Sequence, residues 1–433
     1  MRRYLVSRIQ VSRIQISRIQ IFGFYLMFLI CSLLSACVEA QTDALTADGT
    51  QATHRLKSDS SIRFATFNVS FNRPRLGQLK DEFSAGESLA PRQIAEVIQR
   101  VRPDVLLLNE FDYDAEGKGI AGFATNYLSV SQNGESPIAY EYVYFAPVNT
   151  GVDSALDLNS DGVLGTANDA FGYGAFAGQY GMVVLSKFEI DKSSVRTFQK
   201  FLWADMPDGL WPVDPETKLP YYNDTIKQSF RLSSKSHWDV PIKIGDETIH
   251  FLTAHPTPPV FDGDEDRNGR RNHDEIRLFS DYISPDKSGY LYDDQGNKGG
   301  LSEGVNFVIA GDMNADEFDG DSTMGAARLL TKHPLINHQL VPSSDGGVHY
   351  SKSQGRANLK HQGPAESDTG DFNDFKVGNL HLDYCLPSKT LTIKASGVFW
   401  PRPGEPGADL VLATDHRMVW VDVGKRVEPK AGK

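Results

Sequence analysis

The residues of this chain best suited to chemistry are carboxylates, amides and imidazoles that close short apolar runs. The clearest run is Asn306-Phe-Val-Ile-Ala-Gly-Asp-Met-Asn314, where four apolar residues lead to Gly311, Asp312 and Asn314. Phe307 to Ala310 reads as a short buried strand. Gly311 lets the backbone turn where a Cβ would crowd, and Asp312 and Asn314, two apart, point to one side if strand geometry persists. An ionised Asp accepts hydrogen bonds and an Asn both donates and accepts, so the pair can order a water or metal and hold a phosphoryl oxygen. Taken alone, the segment reads equally as such a site and as a plain strand followed by a turn, because Gly-Asp and Asn-Ala are common turn dipeptides.

Other apolar runs end in the same way. Asn68 follows Ile62 to Phe67, Glu110 follows Val105 to Leu108, and His255 follows Thr248 to Ala254. Asp383 lies in the run Leu380 to Pro387, and Asp415 and His416 stand just before Met418 to Val423. Strand-end residues of this kind converge at one edge of a sheet. Carboxylates gathered there need a cation to offset their repulsion, and hard oxygen ligands suit Mg²⁺ or a similar ion.

The elements that must position them follow from spacing. Ile94, Val97, Ile98 and Val101 recur at helical intervals after Pro91, so a helix over 91–101 is expected, stopped by Pro103. The strands on either side make a strand–helix–strand unit. Further strands are expected at 140–145 and 181–186, with a Gly/Asp/Asn-rich insertion between them. Residues 197–230, rich in Trp, Pro and Tyr, read as an irregular excursion that could wall a pocket. A hairpin over 238–244 and 248–254 turns at Gly245-Asp246, and helices are expected at 274–283 and near 324–330. The polar, glycine-rich stretch 342–378 reads as a surface loop beside the site. One domain, 62–425, is expected, with a short tail at 426–433.

Composition sets the class. With 40% hydrophobic residues the chain can build a large soluble core, and a net charge of −12 disfavours broad adhesion to nucleic acid unless a divalent metal reverses the local field. Residues 1–20 carry five arginines and no acid, and Ile21 to Ala36 is almost wholly apolar, so 1–36 reads as a secretion signal. Ser-Arg-Ile-Gln recurs three times within it, a duplication that lengthens the basic end. Residues 37–61 read as a flexible tether. Of three cysteines, Cys31 leaves with the leader, Cys37 ends Leu34-Ser-Ala-Cys37, and Cys385 stands alone in a strand, so no disulfide framework is expected.

The segments Thr66-Phe-Asn68, Asn109-Glu110, Gly311-Asp-Met-Asn314, Leu382-Asp-Tyr384 and Thr414-Asp-His416, in that order, resemble the endonuclease/exonuclease/phosphatase superfamily with its deoxyribonuclease-like fold. The resemblance spans about Ile62 to Val423. It implies an α/β (α+β) fold, a four-layer sandwich of two packed mixed β-sheets flanked by helices, and phosphoester hydrolysis by metal-assisted attack of water. It implies that Glu110 is the principal Mg²⁺ ligand, with Asn68 beside it and Asp415 assisting, Mn²⁺ being an alternative ion. His416 would be general base or stabiliser of the phosphorane, oriented by Asp383. Asp312 would align water, Asn314 would hold a phosphoryl oxygen, and His255 would bind phosphate or aid the leaving group. The chain departs from the pattern at Asn109, where many relatives have Gln, and at His381, where Arg is frequent. Leu34 to Cys37 resembles a bacterial lipobox, which implies lipidation of Cys37 and a place in the bacterial cell envelope, periplasmic or at the cell surface.

Two acidic loops admit a second chemistry. Asp264, Asp266, Asn268, Gly269 and Glu275 fit the spacing of an EF-hand Ca²⁺ loop, although Pro256, Pro258 and Pro259 break the entry and Arg267, Arg270 and Arg271 oppose a cation. The segment also resembles a secreted bacterial branch of the superfamily, and that resemblance implies instead a substrate-side loop whose Arg271 and His273 would flank the phosphate. Asp157, Asn159, Asp161 and Gly162 start a similar pattern without the closing glutamate, and a solvated turn explains them as well. The expectation is an exported, membrane-anchored, metal-dependent phosphodiesterase or nuclease, a monomer for which nucleic acid is a candidate substrate and no protein partner is foreseen. The alternatives are a phosphatase or phospholipase C-like enzyme on inositol phosphates or sphingomyelin-like head groups, and a non-catalytic calcium-binding surface module.

Overall fold

The computed structural model describes residues 61–425. The leader, Cys37, the tether up to Ser60 and the tail from Arg426 lie outside these residues. In chain order the strands are β1 (Ile62–Phe71), β2 (Val105–Phe111), β3 (Tyr142–Tyr144), β4 (Met182–Ser186), β5 (Arg196–Thr197), β6 (His237–Ile244) and β7 (Glu247–Ala254). They continue with β8 (Phe307–Asp312), β9 (Gly370–Asp371), β10 (Asn379–Leu380), β11 (Asp383–Pro387), β12 (Leu391–Val398) and β13 (Val419–Lys425). The helices are α1 (Gln78–Ala85), α2 (Leu89–Val101), α3 (Lys118–Phe123), α4 (Asp224–Ser229), α5 (Arg267–Tyr282), α6 (Arg328–Thr331) and α7 (Asp345–Gln354).

Two sheets form, one ordered β12-β13-β1-β2-β4-β3 and the other β11-β8-β7-β6-β5, with β9 and β10 as a small ribbon. Both are mixed: β1 runs parallel to β2 and antiparallel to β13, and β7 runs parallel to β8 and antiparallel to β6. Side-chain parity then makes four layers. Phe64, Leu107 and Val421 of the first sheet meet Trp238, Phe251 and Val308 of the second in one core. On its other face the first sheet turns Phe67, Leu106 and Leu108 to Ile94, Val97 and Ile98 of α2. The second turns Leu252, Ile309 and Tyr384 to Ile276 and Phe279 of α5. Strands covered on both faces read as continuous apolar runs, which is why β2 and β8 lack polar alternation. The expected four-layer sandwich is therefore the observed fold.

Local differences have physical reasons. The excursion 197–230 does wall a core, with Trp203 stacked on Trp211 at 4.3 Å and Phe198, Phe201 and Phe230 packed around it. The stretch 342–378 is not simply a loop. Ser344 caps α7 by accepting from Gly347 N, and Gly346 and Gly347 are buried where Cβ atoms would meet the carbonyl oxygens of Trp400 and Ala365 at 1.8 and 2.3 Å. Glycines that mark a loop by composition here allow a helix to pack closely. α5 begins at Arg267, seven residues before the expected start, and β12 was not anticipated. Among the described residues no helix is long and apolar enough to cross a membrane.

Register brings the strand-end residues together. Asp383 of β11 lies directly opposite Asp312 of β8, and Ala254 of β7 opposite Gly311, which sets His255 beside Asp312. Asn68 pairs with Asn109, one residue before Glu110, and an isolated bridge joins Gly370 to His416. The Ala254–Gly311 pair closes only because Gly311 has no side chain: a Cβ there would lie 2.0 Å from the Ala254 carbonyl oxygen.

Candidate active site

One carboxylate oxygen is the centre of the cluster. Asp312 Oδ2 accepts from Asn68 Nδ2 at 3.0 Å and faces His255 Nε2 at 3.5 Å and His416 Nε2 at 3.6 Å. Its other oxygen accepts the backbone N–H of Asn314 at 2.9 Å, and Asn314 Nδ2 is held by the Pro256 carbonyl at 3.2 Å. His416 Nδ1 lies 2.8 Å from Asp383 Oδ2, which also accepts from Thr369 Oγ1 at 2.9 Å. The remaining Asp383 oxygen and His255 Nδ1 are buried without a hydrogen-bond partner among the described residues. Phe372 packs edge-on against the His416 ring and helps fix it.

Glu110 sits beside this cluster at the end of β2. Its Oε2 accepts from Asn72 Nδ2 at 2.7 Å. Glu110 and Asn314 both adopt left-handed backbone, φ 60° and 51°, which for a residue with a Cβ costs on the order of 1 kcal/mol or more each. Such strain persists where surrounding structure over-determines the residue, and here both residues turn a strand end into the cleft.

Electrostatics separate the groups. Burial raises Glu110, opposed by His416, a hydrogen bond from Asn68 and the charge of Lys235, while Asp312 adds to the rise. Asp312 is pushed up to about 6, by burial first and Asp383 further, with His416 opposing. Burial alone would lower His416, yet Asp383 and Asp312, with Asp415 behind them, outweigh it and raise the imidazole to about 10. His255 goes the other way: burial, reinforced by the charges of Lys235 and His416, holds it well below 6.5. At neutral pH the site therefore pairs an imidazolium with a neutral imidazole across one carboxylate.

The expected site residues fall into two groups. Asn68, Glu110, His255, Asp312, Asn314, Asp383 and His416 come together. Asp415 is at the exposed rim, where Thr414 Oγ1 approaches it at 3.4 Å. Among the described residues, Arg271 and His273 make no hydrogen bond to this cluster. The Arg271 guanidinium is buried, donating to the carbonyls of Leu232, Phe171 and Arg231 under the Phe230 ring, and His273 Nδ1 is 3.0 Å from Asp274 Oδ1. Their polar atoms are used by the fold, which leaves the expected phosphate contact without support.

The calcium loop 264–275 is also corrected. Helix α5 already starts at Arg267, so Asn268 and Glu275 are helical, Asn268 Nδ2 donates to the Val260 carbonyl, and Asp266 accepts from Thr323 Oγ1. Glu275 is fully buried and its two oxygens accept the backbone N–H groups of Ser234 and Thr257, both at 2.6 Å, so it cannot close a cation loop with Asp264. In the other loop Asp157 accepts from the N–H groups of Asp161 and Gly162, and Asn159 Nδ2 donates to Asp161. That pattern is what a solvated Asx turn makes on its own.

Lys235, Asn72 and Thr369 were missed by sequence reasoning. Lys235 lies among serines (Ser233-Ser-Lys-Ser236) and Thr369 in the polar stretch read as loop, so neither ends an apolar run. Only Asn72, two residues past β1's Ser70, follows a strand in a way that could have flagged it.

The set fits a divalent ion. Asp312, Asp383 and His416 offer ligand atoms all within 4.8 Å of one another. Asp383 raises the proton affinity of Asp312 and Asp312 that of Glu110, and the donors are hard oxygens apart from one imidazole. The Nδ1 of His416 is committed to Asp383, and Glu110, partly reached by solvent, stands beside this group at the end of β2.

Comparison with known proteins gives the family. A comparison with curated sequences gives no match. Among solved structures, an endonuclease/exonuclease/phosphatase from Beutenbergia cavernae is 15% identical, with a TM-score of 0.45 over 86% of this chain and 73% of that one. A beta toxin from Staphylococcus aureus, a double mutant with bound magnesium ions, is 14% identical, with a TM-score of 0.42 over 84% of this chain and 100% of that one. A truncated TDP2 from Caenorhabditis elegans is 14% identical, with a TM-score of 0.37 over 84% and 97%. The profile of the endonuclease/exonuclease/phosphatase family matches residues 65–416, a span that begins three residues before Asn68 and ends on His416. The chain therefore belongs to the endonuclease/exonuclease/phosphatase family, hydrolases that act on phosphoesters.

Proposed function

We propose that this chain is a Mg²⁺-dependent phosphodiesterase. The observation that carries the reading is the junction of Asp312 Oδ2 with Asn68, His255 and His416, with Glu110 alongside. Glu110 with Asn68 would hold the ion, which when bound supplies Lewis-acid polarisation of a phosphoryl oxygen. His416, raised to about 10, is protonated at neutral pH and so stabilises charge on the phosphoryl group rather than accepting a proton from water. Asp312, pushed up to about 6, is ionised at neutral pH and is the group able to orient and deprotonate an attacking water. Asn314, its amide held by Pro256, is placed to hold a phosphoryl oxygen, and neutral His255 to donate to one.

A diester is favoured over a monoester by charge. Glu110, Asp312, Asp383 and Asp415 surround the cleft, and a singly charged diester meets less repulsion there than a dianionic terminal phosphate. Purified residues 38–433 should hydrolyse bis-p-nitrophenyl phosphate, DNA or RNA with Mg²⁺, faster than p-nitrophenyl phosphate. Glu110→Gln should move the Mg²⁺ midpoint to higher concentration, while His416→Ala lowers turnover by orders of magnitude. Faster turnover of monoesters would favour the phosphatase alternative, and preference for lipid or inositol head groups the phospholipase C-like one. An inert protein, or His416→Ala equal to wild type, rejects the proposal.

A further inference from the structure

Lys235 is a buried cation for which the described chain supplies no direct partner. Only 6% of the residue is exposed and no hydrogen bond or ion pair joins its ammonium to a described residue, yet the ammonium is not one of the sealed polar atoms left without a partner, so its tip keeps access to solvent. An ammonium has three donors, and burying it unpaired is costly unless something else completes it. The backbone explains why it is nevertheless held here. Lys235 stands two residues before His237, which pairs with Ala254, so Lys235 lies across from the His255-Pro256 segment. Both flanks are pinned: the Lys235 carbonyl accepts from Asn149 N at 2.8 Å, and Ser234 N donates to Glu275. Glu275 in turn holds Thr257, and the Pro256 carbonyl between them holds the Asn314 amide. Burial, and further the charge of Arg271, lowers the proton affinity of Lys235, while Glu275, Glu110 and Asp312 favour its ammonium; that charge in turn bears on Glu110 and His255 of the cluster.

We propose that Lys235 is a phosphate-binding residue whose ammonium completes its donors on a non-bridging phosphoryl oxygen of the substrate, on the His255 and Asn314 side of the cleft. This rests on the phosphodiesterase reading. A helper cation is chemically useful there, because carboxylates outnumber cations around the cleft and would otherwise repel the anionic substrate. The competing explanation is that Lys235 acts only as a distant counter-charge to Glu275 within the fold.

The test uses Lys235→Met, similar in length and uncharged, with Lys235→Arg as the charge-retaining control, both in residues 38–433 with Mg²⁺. Binding of inorganic phosphate by calorimetry, kcat and KM on bis-p-nitrophenyl phosphate, and Tm are measured. The expected result is a folded Met variant whose phosphate affinity falls at least tenfold and whose kcat/KM falls by roughly 10²-fold, in the range of losing one preorganised donor, with partial recovery in the Arg variant. Phosphate affinity and kcat/KM within twofold of wild type overturn the inference, and leave the phosphodiesterase reading intact. A wild type inert on every ester that still binds phosphate through Lys235 overturns that reading and keeps the anion site. If the Met variant does not fold, Lys235→Gln carries the same comparison, and unchanged phosphate affinity there assigns Lys235 to the fold.

Discussion

Replacing Asp383 by Asn removes one negative charge from the far side of the His416 ring while keeping the shape of the side chain. The carboxylate is fully buried, lies 2.8 Å from His416 Nδ1 and is the strongest of the charges that raise this imidazole from 6.5 to about 10. That rise corresponds to roughly 5 kcal/mol favouring the imidazolium. Asp312, 3.6 Å from Nε2, remains in the variant, so about half of the preference, ~2–3 kcal/mol, is a fair share for Asp383. Loss of that much transition-state stabilisation lowers turnover by about 10²-fold, and loss of ring orientation or tautomer extends the range to about 10⁴-fold. Thr369 can still donate to the Asn oxygen, so the fold should survive, and KM should change little. The alkaline limb of the pH profile should move toward neutrality, because the active imidazolium now loses its proton at lower pH. Initial rates on bis-p-nitrophenyl phosphate across pH, with Tm in parallel, read all three. Turnover within fivefold of wild type, or an alkaline limb that does not move, would refute the argument that Asp383 holds His416 charged.

Two further predictions concern the frame behind the site. His237 is buried, with Nδ1 2.7 Å from Ser233 Oγ and Nε2 2.9 Å from the Glu275 carbonyl, and burial pulls it down to about 4 despite the nearby Glu275 charge. Between pH 6.5 and about 4 the unfolded chain binds a proton that the native state does not, so stability should fall as pH drops through this window, by up to about 3 kcal/mol from this group. His237→Gln should flatten that part of a denaturation-versus-pH curve, and an unchanged slope would count against it. Glu275→Gln keeps one acceptor but turns an amide NH₂ toward a backbone N–H, which should cost about 2–4 kcal/mol in urea unfolding, with no Ca²⁺ dependence. A Ca²⁺-induced rise in Tm that vanishes in Glu275→Gln would restore the calcium reading of that segment.

Much of this molecule was legible from the order of residues alone. Buried strands need apolar runs, and a run that stops on Asp, Asn, Glu or His marks a strand end, so β1, β2, β7 and β8 and the polar residues they deliver could be read locally. What only tertiary structure decided is which of these polar groups share a cleft and which are used elsewhere. Arg271 and Glu275 have the types and spacing of ligands, yet both are consumed by backbone groups distant in sequence, Phe171 and Leu232 for one, Ser234 and Thr257 for the other. Lys235 has no local pattern at all, and its place near the His255-Pro256 segment comes from the pairing of β6 with β7 just beyond it. Hydrophobic periodicity is a short-range signal, whereas a side chain's charge state and free donors depend on whatever the folded chain packs against it. The same atoms that make Asp312 and His416 legible as candidates therefore acquire their separated proton affinities only once Asp383 lies across the sheet from Asp312.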